Sequence, residues 1–142
     1  MSTLVDTNVL SELLRAAPAP AVLAWFAGQP AQTLHVSAVT QAEMMLGVRL
    51  LPAGKRRAVL EAAVRAIFDE DFAGRTLPFD SAAVAAYVDI VSQRRRAGRP
   101  IAQFDAQIAA IASHHRMCLA TRNMADFDDC GVTLVNPWVV GP

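Results

Sequence analysis

The sequence predicts an α/β fold in which a parallel sheet is covered by helices on both faces. Three observations carry the prediction. Short apolar runs alternate along the chain with longer segments whose apolar residues recur at helical spacing. The short runs are continuously apolar rather than alternating, as strands buried on both faces require. Finally, the chain has 142 residues, 54% of them apolar, and a mean hydropathy of +0.30. That is long enough for a core without disulfide or metal staples, and too apolar for disorder. No repeat, low-complexity tract or linker divides it, so residues 1–142 read as one domain.

Taken in order, Thr3–Asp6 is a short strand ending on an acid, and Asn8–Ala17 is a helix running to the Pro18/Pro20 break. A second helix, Ala21–Ala27, stops at Gly28-Gln29-Pro30. Leu34–Val36 is the next strand and leads into a helix over Val39–Leu51. Gly54–Asp71 reads as another helix, and Gly74 precedes a strand at Arg75–Leu77. Ser81–Ala97 is the clearest helix: Val84, Tyr87, Val88 and Val91 fall at i, i+3, i+4 and i+7, and Gly98 with Pro100 closes it. Phe104, Ile108 and Ile111 form the stripe of the following helix, which ends at His114-His115. Met117–Ala120 and Val132–Val135 are two more buried strands. In such sheets the functional crevice lies beyond the carboxyl ends of the strands, so the residues just after each strand are the first candidates for function.

Composition excludes several classes. There is no apolar run of about 18 residues to cross a membrane. The opening Met1-Ser2-Thr3 lacks the basic and long apolar regions of a secretory signal, so a cytoplasmic location is expected. Cys118 and Cys130 match neither a disulfide framework nor a CxxC metal pattern and are expected to be buried thiols. Gly54-Lys55 is followed by Arg56, and position 49 is Arg, so the spacing of a phosphate-binding loop is missing. Thirteen basic and thirteen acidic residues give a net charge of zero, so any attraction to a polyanion must be local. Arg94-Arg95-Arg96 with Arg99 is the densest basic cluster and Lys55-Arg56-Arg57 the second. Cations at a helix C-terminus are favoured by the dipole, so a solvated face is the default reading of the arginine run.

The chemistry lies in the acids. Asp6 directly follows the first strand, Glu43 sits one turn into the helix after the second, Asp105 lies near the start of a helix, and Asp126, Asp128 and Asp129 come after Met117–Ala120. Carboxylates gathered at one point repel, and some must protonate unless a cation sits among them. An oxygen-only donor set favours Mg²⁺ or Mn²⁺ over Zn²⁺, and such an ion suits phosphodiester hydrolysis. Each acid also has a plainer reading. Thr40-Gln41-Ala42-Glu43 fits a capping box, Asp105 can complement a helix dipole, Asp6 can cap a helix, and the aspartates after Ala120 can form a solvated loop.

The acids stand in longer motifs: Leu4-Val5-Asp6-Thr7-Asn8-Val9-Leu10-Ser11-Glu12-Leu13, then Ser37-Ala38-Val39-Thr40-Gln41-Ala42-Glu43 with Gly47. Next along the chain come Ile101-Ala102-Gln103-Phe104-Asp105-Ala106-Gln107-Ile108-Ala109-Ala110, then Leu119-Ala120-Thr121-Arg122-Asn123-Met124-Ala125-Asp126-Phe127, and finally Val135-Asn136-Pro137-Trp138. In this order, over nearly the whole chain, they resemble the PIN-domain ribonucleases, in particular the VapC-like and FitB-like toxins of type II toxin–antitoxin pairs. The resemblance implies an α/β/α sandwich around a parallel sheet and a Mg²⁺- or Mn²⁺-dependent endoribonuclease leaving 5′-phosphate and 3′-hydroxyl ends. Asp6, Glu43 and Asp105 match the first three family acids. At the fourth position many PIN domains carry Asp where this chain has Asn123, and the TRNxxDF variant places its acid at Asp126. Asn123 can ligate through its carbonyl oxygen without supplying charge, and Thr121 can orient a ligand or water. In this reading Asp6, Asp105 and Asp126 hold the ion, and Glu43 ligates it or positions the attacking water.

Arg122, beside these acids, is the candidate substrate contact, with a salt bridge to Asp126 or Asp128 as the alternative. The resemblance further implies a homodimer and a cognate antitoxin that covers the acidic site, with operator DNA bound only through that antitoxin. Leu10, Leu13, Leu14, Trp25 and Phe26 are expected either in the core or on a partner surface. His35 reads as a satisfied strand residue, and His114-His115 as a helix end rather than a metal pair. A second function class is a catalytically weak PIN module acting mainly in a repressor complex, for which Asn123 leaves room. A phosphoacceptor receiver fails, because it needs a lysine at a strand end and Lys55 lies between helices.

Overall fold

The computed structural model describes residues 1–139. Five strands, β1 (Thr3–Val5), β2 (Leu34–Ser37), β3 (Thr76–Leu77), β4 (Cys118–Ala120) and β5 (Leu134–Val135), form one sheet in the order β3-β2-β1-β4-β5. Every pairing is parallel, with Thr3 opposite Leu34 and Leu4 opposite Leu119 flanking the central strand. Among the described residues six α-helices cover it: α1 (Thr7–Glu12), α2 (Pro20–Ala27), α3 (Ala38–Arg49), α4 (Lys55–Ala66), α5 (Val84–Arg96) and α6 (Gln103–His114). Successive strand residues point to opposite faces, so Leu4 and Val5 enter different cores. Leu4 and Leu119 pack with Ile90, Ile108, Ile111 and Phe127, whereas Val5, Leu34 and Val36 pack with Val9, Leu10, Val22, Val64 and Phe68. The α/β sandwich with a central parallel sheet is therefore the observed fold.

The chain moves outward from β1 through β2 to β3, then crosses to the other side for β4 and β5. The reversal falls between β1 and β4, and a crevice opens past the carboxyl ends of adjacent strands at such a point. Asp6 and Thr121 are the residues immediately after those two strands.

Several boundaries differ from the sequence reading for local reasons. The first helix stops at Glu12, not Ala17, because Leu13, Leu14 and Arg15 donate to carbonyls three residues back and tighten the chain before Pro18. Glu12 is itself buried and accepts the Ala19 N–H at 2.8 Å, capping the start of α2, where Pro20 occupies the first helical position. The long helix expected to Asp71 is α4 followed by a π turn over Ile67–Asp71, which brings Ile67 and Phe68 both inward. On α5 the buried face is Ala83, Tyr87, Ile90 and Arg94 rather than the valine stripe, since Val84 and Val88 are 44% and 55% exposed. Phe104 is likewise exposed, and the core face of α6 is Ala106 with Ile108–Ala112.

The same burial pattern sorts the remaining expectations. Cys118 and Cys130 are buried free thiols. Leu10 is in the core and Leu13, Leu14, Trp25 and Phe26 pack against it; the large exposed apolar side chains include Leu23 on α2, Met45, Leu46 and Leu50 on α3 and its end, and Val59 on α4, besides Val84, Val88 and Phe104. His35 is not fully satisfied as expected, because its Nδ1 finds no hydrogen-bond partner among the described residues; burial also lowers its pKa. The arginine run divides: Arg95 and Arg96 are solvated, but Arg94 is buried.

Candidate active site

A pocket of about 260 Å³ beyond β1 and β4 is lined by Asp6, Thr7, Asn8, Glu43, Asp105 and Asn123. Asp6 is 5% exposed. Its Oδ1 accepts the Thr7 N–H at 2.8 Å, which caps α1, and its Oδ2 accepts the Thr121 hydroxyl at 2.8 Å. The capping role and the site role therefore coexist in one side chain. Its backbone N–H donates to Ala120 O at 2.9 Å, locking the two strand ends together. Burial pushes the Asp6 carboxyl up; the bonds from Thr121 and Thr7 oppose this, and the charges of Glu43 and Asp126 add to it.

Glu43 does not close a capping box. The N-cap of α3 is Ser37, whose Oγ accepts the Thr40 N–H at 2.9 Å, and Thr40 lies fully buried inside the helix. The Glu43 Oε1 instead accepts the Thr7 hydroxyl at 2.8 Å. Thr7 and Thr40 hydroxyl oxygens are 3.0 Å apart, and Ser37 Oγ donates to Thr40 Oγ1 at 3.2 Å. A hydroxyl has a single proton, so with Thr7's on Glu43 the chain runs one way, from Ser37 through Thr40 and Thr7 to Glu43.

Asp105, in the first turn of α6, is pushed up to about 6 by burial first, then by the charges of Asp6, Asp126 and Glu43, with Arg94 acting in the opposite direction. Asp126 sits in a short 3₁₀ turn, Met124–Phe127, and is exposed. The pocket wall at that corner is Asn123 rather than Asp126, although the Asp126 charge acts on both Asp6 and Asp105. The Thr121 hydroxyl that donates to Asp6 also accepts the Asn123 N–H at 3.1 Å and the Asn8 side-chain amide at 3.5 Å. Asn8 Oδ1 in turn accepts the Arg122 N–H at 3.2 Å. The Arg122 side chain lies over the Trp138 ring, 4.8 Å from its centroid, and forms no ion pair with Asp126 or Asp128 among the described residues. Thr7, Asn8 and Trp138 carried no assigned role in the sequence, while Thr40 was expected as a helix cap and Arg94 as a solvated cation, and the structure gives neither; two polar residues immediately after the strand-end Asp6 were the signal that could have pointed to Thr7 and Asn8.

No ion pair involves Asp6, Glu43, Asp105 or Asp126 among the described residues. Nor do any three His, Cys, Asp or Glu side chains there form a group that could hold a metal ion as it stands. The carboxylates line an open pocket rather than close on one point. Their chemistry still fits a hard divalent cation, since every donor at the pocket is an oxygen or an amide and the negative charge is uncompensated.

This arrangement of acids on a five-stranded parallel sheet defines a class. The sequence model of the PIN domain matches residues 3–130, and the chain belongs to the PIN-domain family, among its VapC- and FitB-like toxins. It is 42% identical to the VapC ribonuclease Y4jK of Sinorhizobium fredii over 94% of this chain and 96% of that protein. It is also 42% identical to the toxin FitB of Neisseria gonorrhoeae, over 95% of this chain and 97% of that protein. The solved structure of FitAB bound to an IR36 DNA fragment superposes with a TM-score of 0.93 at 41% identity, covering 99% of this chain and 98% of that one. The crystal structure of FitAcB from Neisseria gonorrhoeae gives 0.88 at 39% identity, covering 97% and 99%.

Proposed function

We propose that this chain is the toxin of a type II toxin–antitoxin pair and acts as a Mg²⁺- or Mn²⁺-dependent endoribonuclease. The observation that carries the reading is the set of unpaired carboxylates, one of them 5% exposed, around a pocket at the strand-order reversal. Asp6, Asp105 and Asp126 would hold the ion with Glu43, and Asn123 can add a neutral amide oxygen. When bound, such an ion neutralises charge on a phosphoryl oxygen and makes water a better nucleophile. Glu43, fixed through one oxygen by Thr7, has a second oxygen with which to orient a water and accept its proton. Thr121 keeps Asp6 turned into the pocket. Arg122, stacked on Trp138 at the rim, is placed to meet a backbone phosphate of RNA. Attack of the water oxygen on phosphorus with loss of the 3′ oxygen leaves a 5′-phosphate and a 3′-hydroxyl.

The family's partners are a cognate antitoxin, a second copy of the chain, and operator DNA reached through the antitoxin. The exposed apolar residues Met45, Leu46, Leu50 and Val59 support a protein partner on the α3–α4 side. Among the described residues no helix is long and apolar enough to cross a membrane. The second reading, a weakly catalytic module in a repressor complex, draws on the neutral Asn123 in the pocket wall.

The test uses partner-free chain on a mixed RNA pool with Mg²⁺, Mn²⁺ or EDTA, alongside Asp105→Asn, with the new ends mapped. Metal-dependent cleavage that vanishes in Asp105→Asn is the expected result. Folded protein that cleaves under no condition would move the assignment to the binding module, and cleavage surviving in the variant would place the site elsewhere.

A further inference from the structure

Arg94 is a buried cation that takes no part in the pocket chemistry. It is 5% exposed, on the core face of α5 in the last turn of the helix. Removing a guanidinium from water costs several kcal/mol unless its donors are satisfied. Among the described residues no carboxylate lies within ion-pair distance of it; its partners are main-chain carbonyls. Nε donates to Arg99 O at 2.6 Å, and Nη1 donates to Asp126 O at 3.0 Å and Asp128 O at 2.9 Å, with Cys130 Sγ at 3.6 Å.

Those carbonyls belong to two segments with little order of their own. The loop after β4 has one short 3₁₀ turn, weakly closed by Asp126 N–H to Asn123 O at 3.1 Å and Asp128 N–H to Ala125 O at 3.4 Å, and Asp129 takes a left-handed φ of 59°. On its outer side exposed Arg99 pairs with Asp128 and Asp129 and donates to Ala125 O at 3.5 Å, an arrangement worth little in water. The same loop contributes Asn123 to the pocket wall and carries Asp126, whose charge acts on Asp6 and Asp105, and the Arg94 charge acts on Asp105 in the opposite direction. We infer that Arg94 is a positioning residue for that site: its buried guanidinium clasps the 123–130 loop from behind and sets where Asn123 and Asp126 stand relative to Asp6 and Asp105. This rests on the nuclease reading. A planar guanidinium donates in several fixed directions at once, which a lysine ammonium at the same place cannot reproduce.

The experiment compares the full chain with Arg94→Met, Arg94→Lys and Arg99→Ala. It measures Mn²⁺ binding by electron paramagnetic resonance of the free ion, amide exchange across residues 123–130, and kcat and KM for RNA cleavage. Both folded Arg94 variants should exchange faster in this loop, bind Mn²⁺ more weakly and lose about 10–100-fold in kcat, the usual cost of removing a group that orients metal ligands, while KM stays near the wild-type value. Arg99→Ala should match wild type. If Arg94→Met does not fold, Arg94→Lys carries the comparison. A folded Arg94 variant with unchanged loop exchange, or with unchanged Mn²⁺ binding and kcat, overturns the inference. Wild-type protein that neither binds Mn²⁺ nor cleaves RNA defeats the nuclease reading instead, and the loop exchange then still decides whether Arg94 is a clasp.

Discussion

The acids of this protein divide into two regions that obey different rules. Away from the pocket each interacting carboxylate has found a cation or a backbone N–H: Asp128 and Asp129 meet Arg99, Glu61 lies between Arg49 and Arg57, and Glu12 caps α2 beside Arg15. At the mouth of the sheet, Asp6 is held by a hydroxyl and a backbone amide and Glu43 by a hydroxyl, no ion pair among the described residues reaches them or Asp105, and the chain brings the Asp126 charge near enough to act on Asp6 and Asp105. The twelve arginines of the chain would have sufficed to neutralise that cluster. Leaving it charged costs stability, and unneutralised charge of this kind is what a site for an external cation requires.

The contrast is broken most directly by one substitution in each region. Asp6→Asn should lower metal-dependent RNA cleavage by about 10²–10⁴-fold, the range for removing a directly acting group. Asp129→Asn should leave cleavage at the wild-type level and change unfolding free energy by about 0–1 kcal/mol, as for other exposed pairs. Equal losses in both would mean that pairing does not distinguish the two regions.

The hydroxyl chain comes next. Thr7→Val keeps the shape of the side chain but removes the proton that Glu43 accepts and the link to Thr40. A loss of about 10–100-fold in kcat is expected with little change in melting temperature. Wild-type turnover in a folded Thr7→Val protein would show that Glu43 needs no orientation.

The sequence order of short apolar strands and helices was enough to read the fold, because continuous apolar runs mark doubly covered strands whatever residues come after them. Asp6, Glu43 and Asp105 were legible as candidates from their places along the chain, Asp6 just after a strand, Glu43 one turn into the helix that follows β2, and Asp105 in the first turn of α6, and all three line the pocket. Arg94 was not legible. The valine stripe at Val84, Val88 and Val91 suggested the wrong buried face, and periodicity weighs only apolar residues, whereas the true face ends on a guanidinium satisfied by carbonyls far along the chain. Thr7 and Thr40 were missed because their partners are other side chains, 36 and 33 residues away in the pairs they form, and no local pattern records that.

The uncompensated charge also predicts a pH dependence. The folded Asp105 carboxyl stands at about 6, above its ordinary value of 3.8. The folded state thus binds that proton more tightly than the unfolded chain. The cost of ionising Asp105 is full above about pH 6 and disappears as pH falls towards 3.8, so its contribution favours folding at lower pH. His35, with its pKa lowered by burial, acts in the opposite sense, since stability is lost as the unfolded imidazole protonates. The difference between wild type and Asp105→Asn cancels that background. In EDTA, urea midpoints at pH 7.5 should be higher for Asp105→Asn than for wild type, with the gap narrowing at pH 5. A gap independent of pH would show that the carboxyl is not held in its folded environment as described.

The smallest expected effect sharpens the comparison furthest, because it adds a charge to the unpaired region. Asn123 forms the pocket wall where an aspartate would bring another negative group. A unit charge about 4 Å from a cation is worth about 1–4 kcal/mol between bulk water and a protein surface, and a divalent ion gains more, but repulsion from Asp6, Asp105 and Asp126 takes back part of it. Asn123→Asp should therefore tighten Mn²⁺ binding by about 10-fold, or about 1.4 kcal/mol, while lowering the melting temperature of the metal-free protein. Calorimetry of Mn²⁺ binding beside thermal melts in EDTA measures both. Tighter binding with a less stable empty fold would identify position 123 as a place where this chain has given up ion affinity for stability. Unchanged affinity would mean that Asp126 already supplies the charge at that corner, and that the Asn123 side chain lines the pocket without reaching the ion.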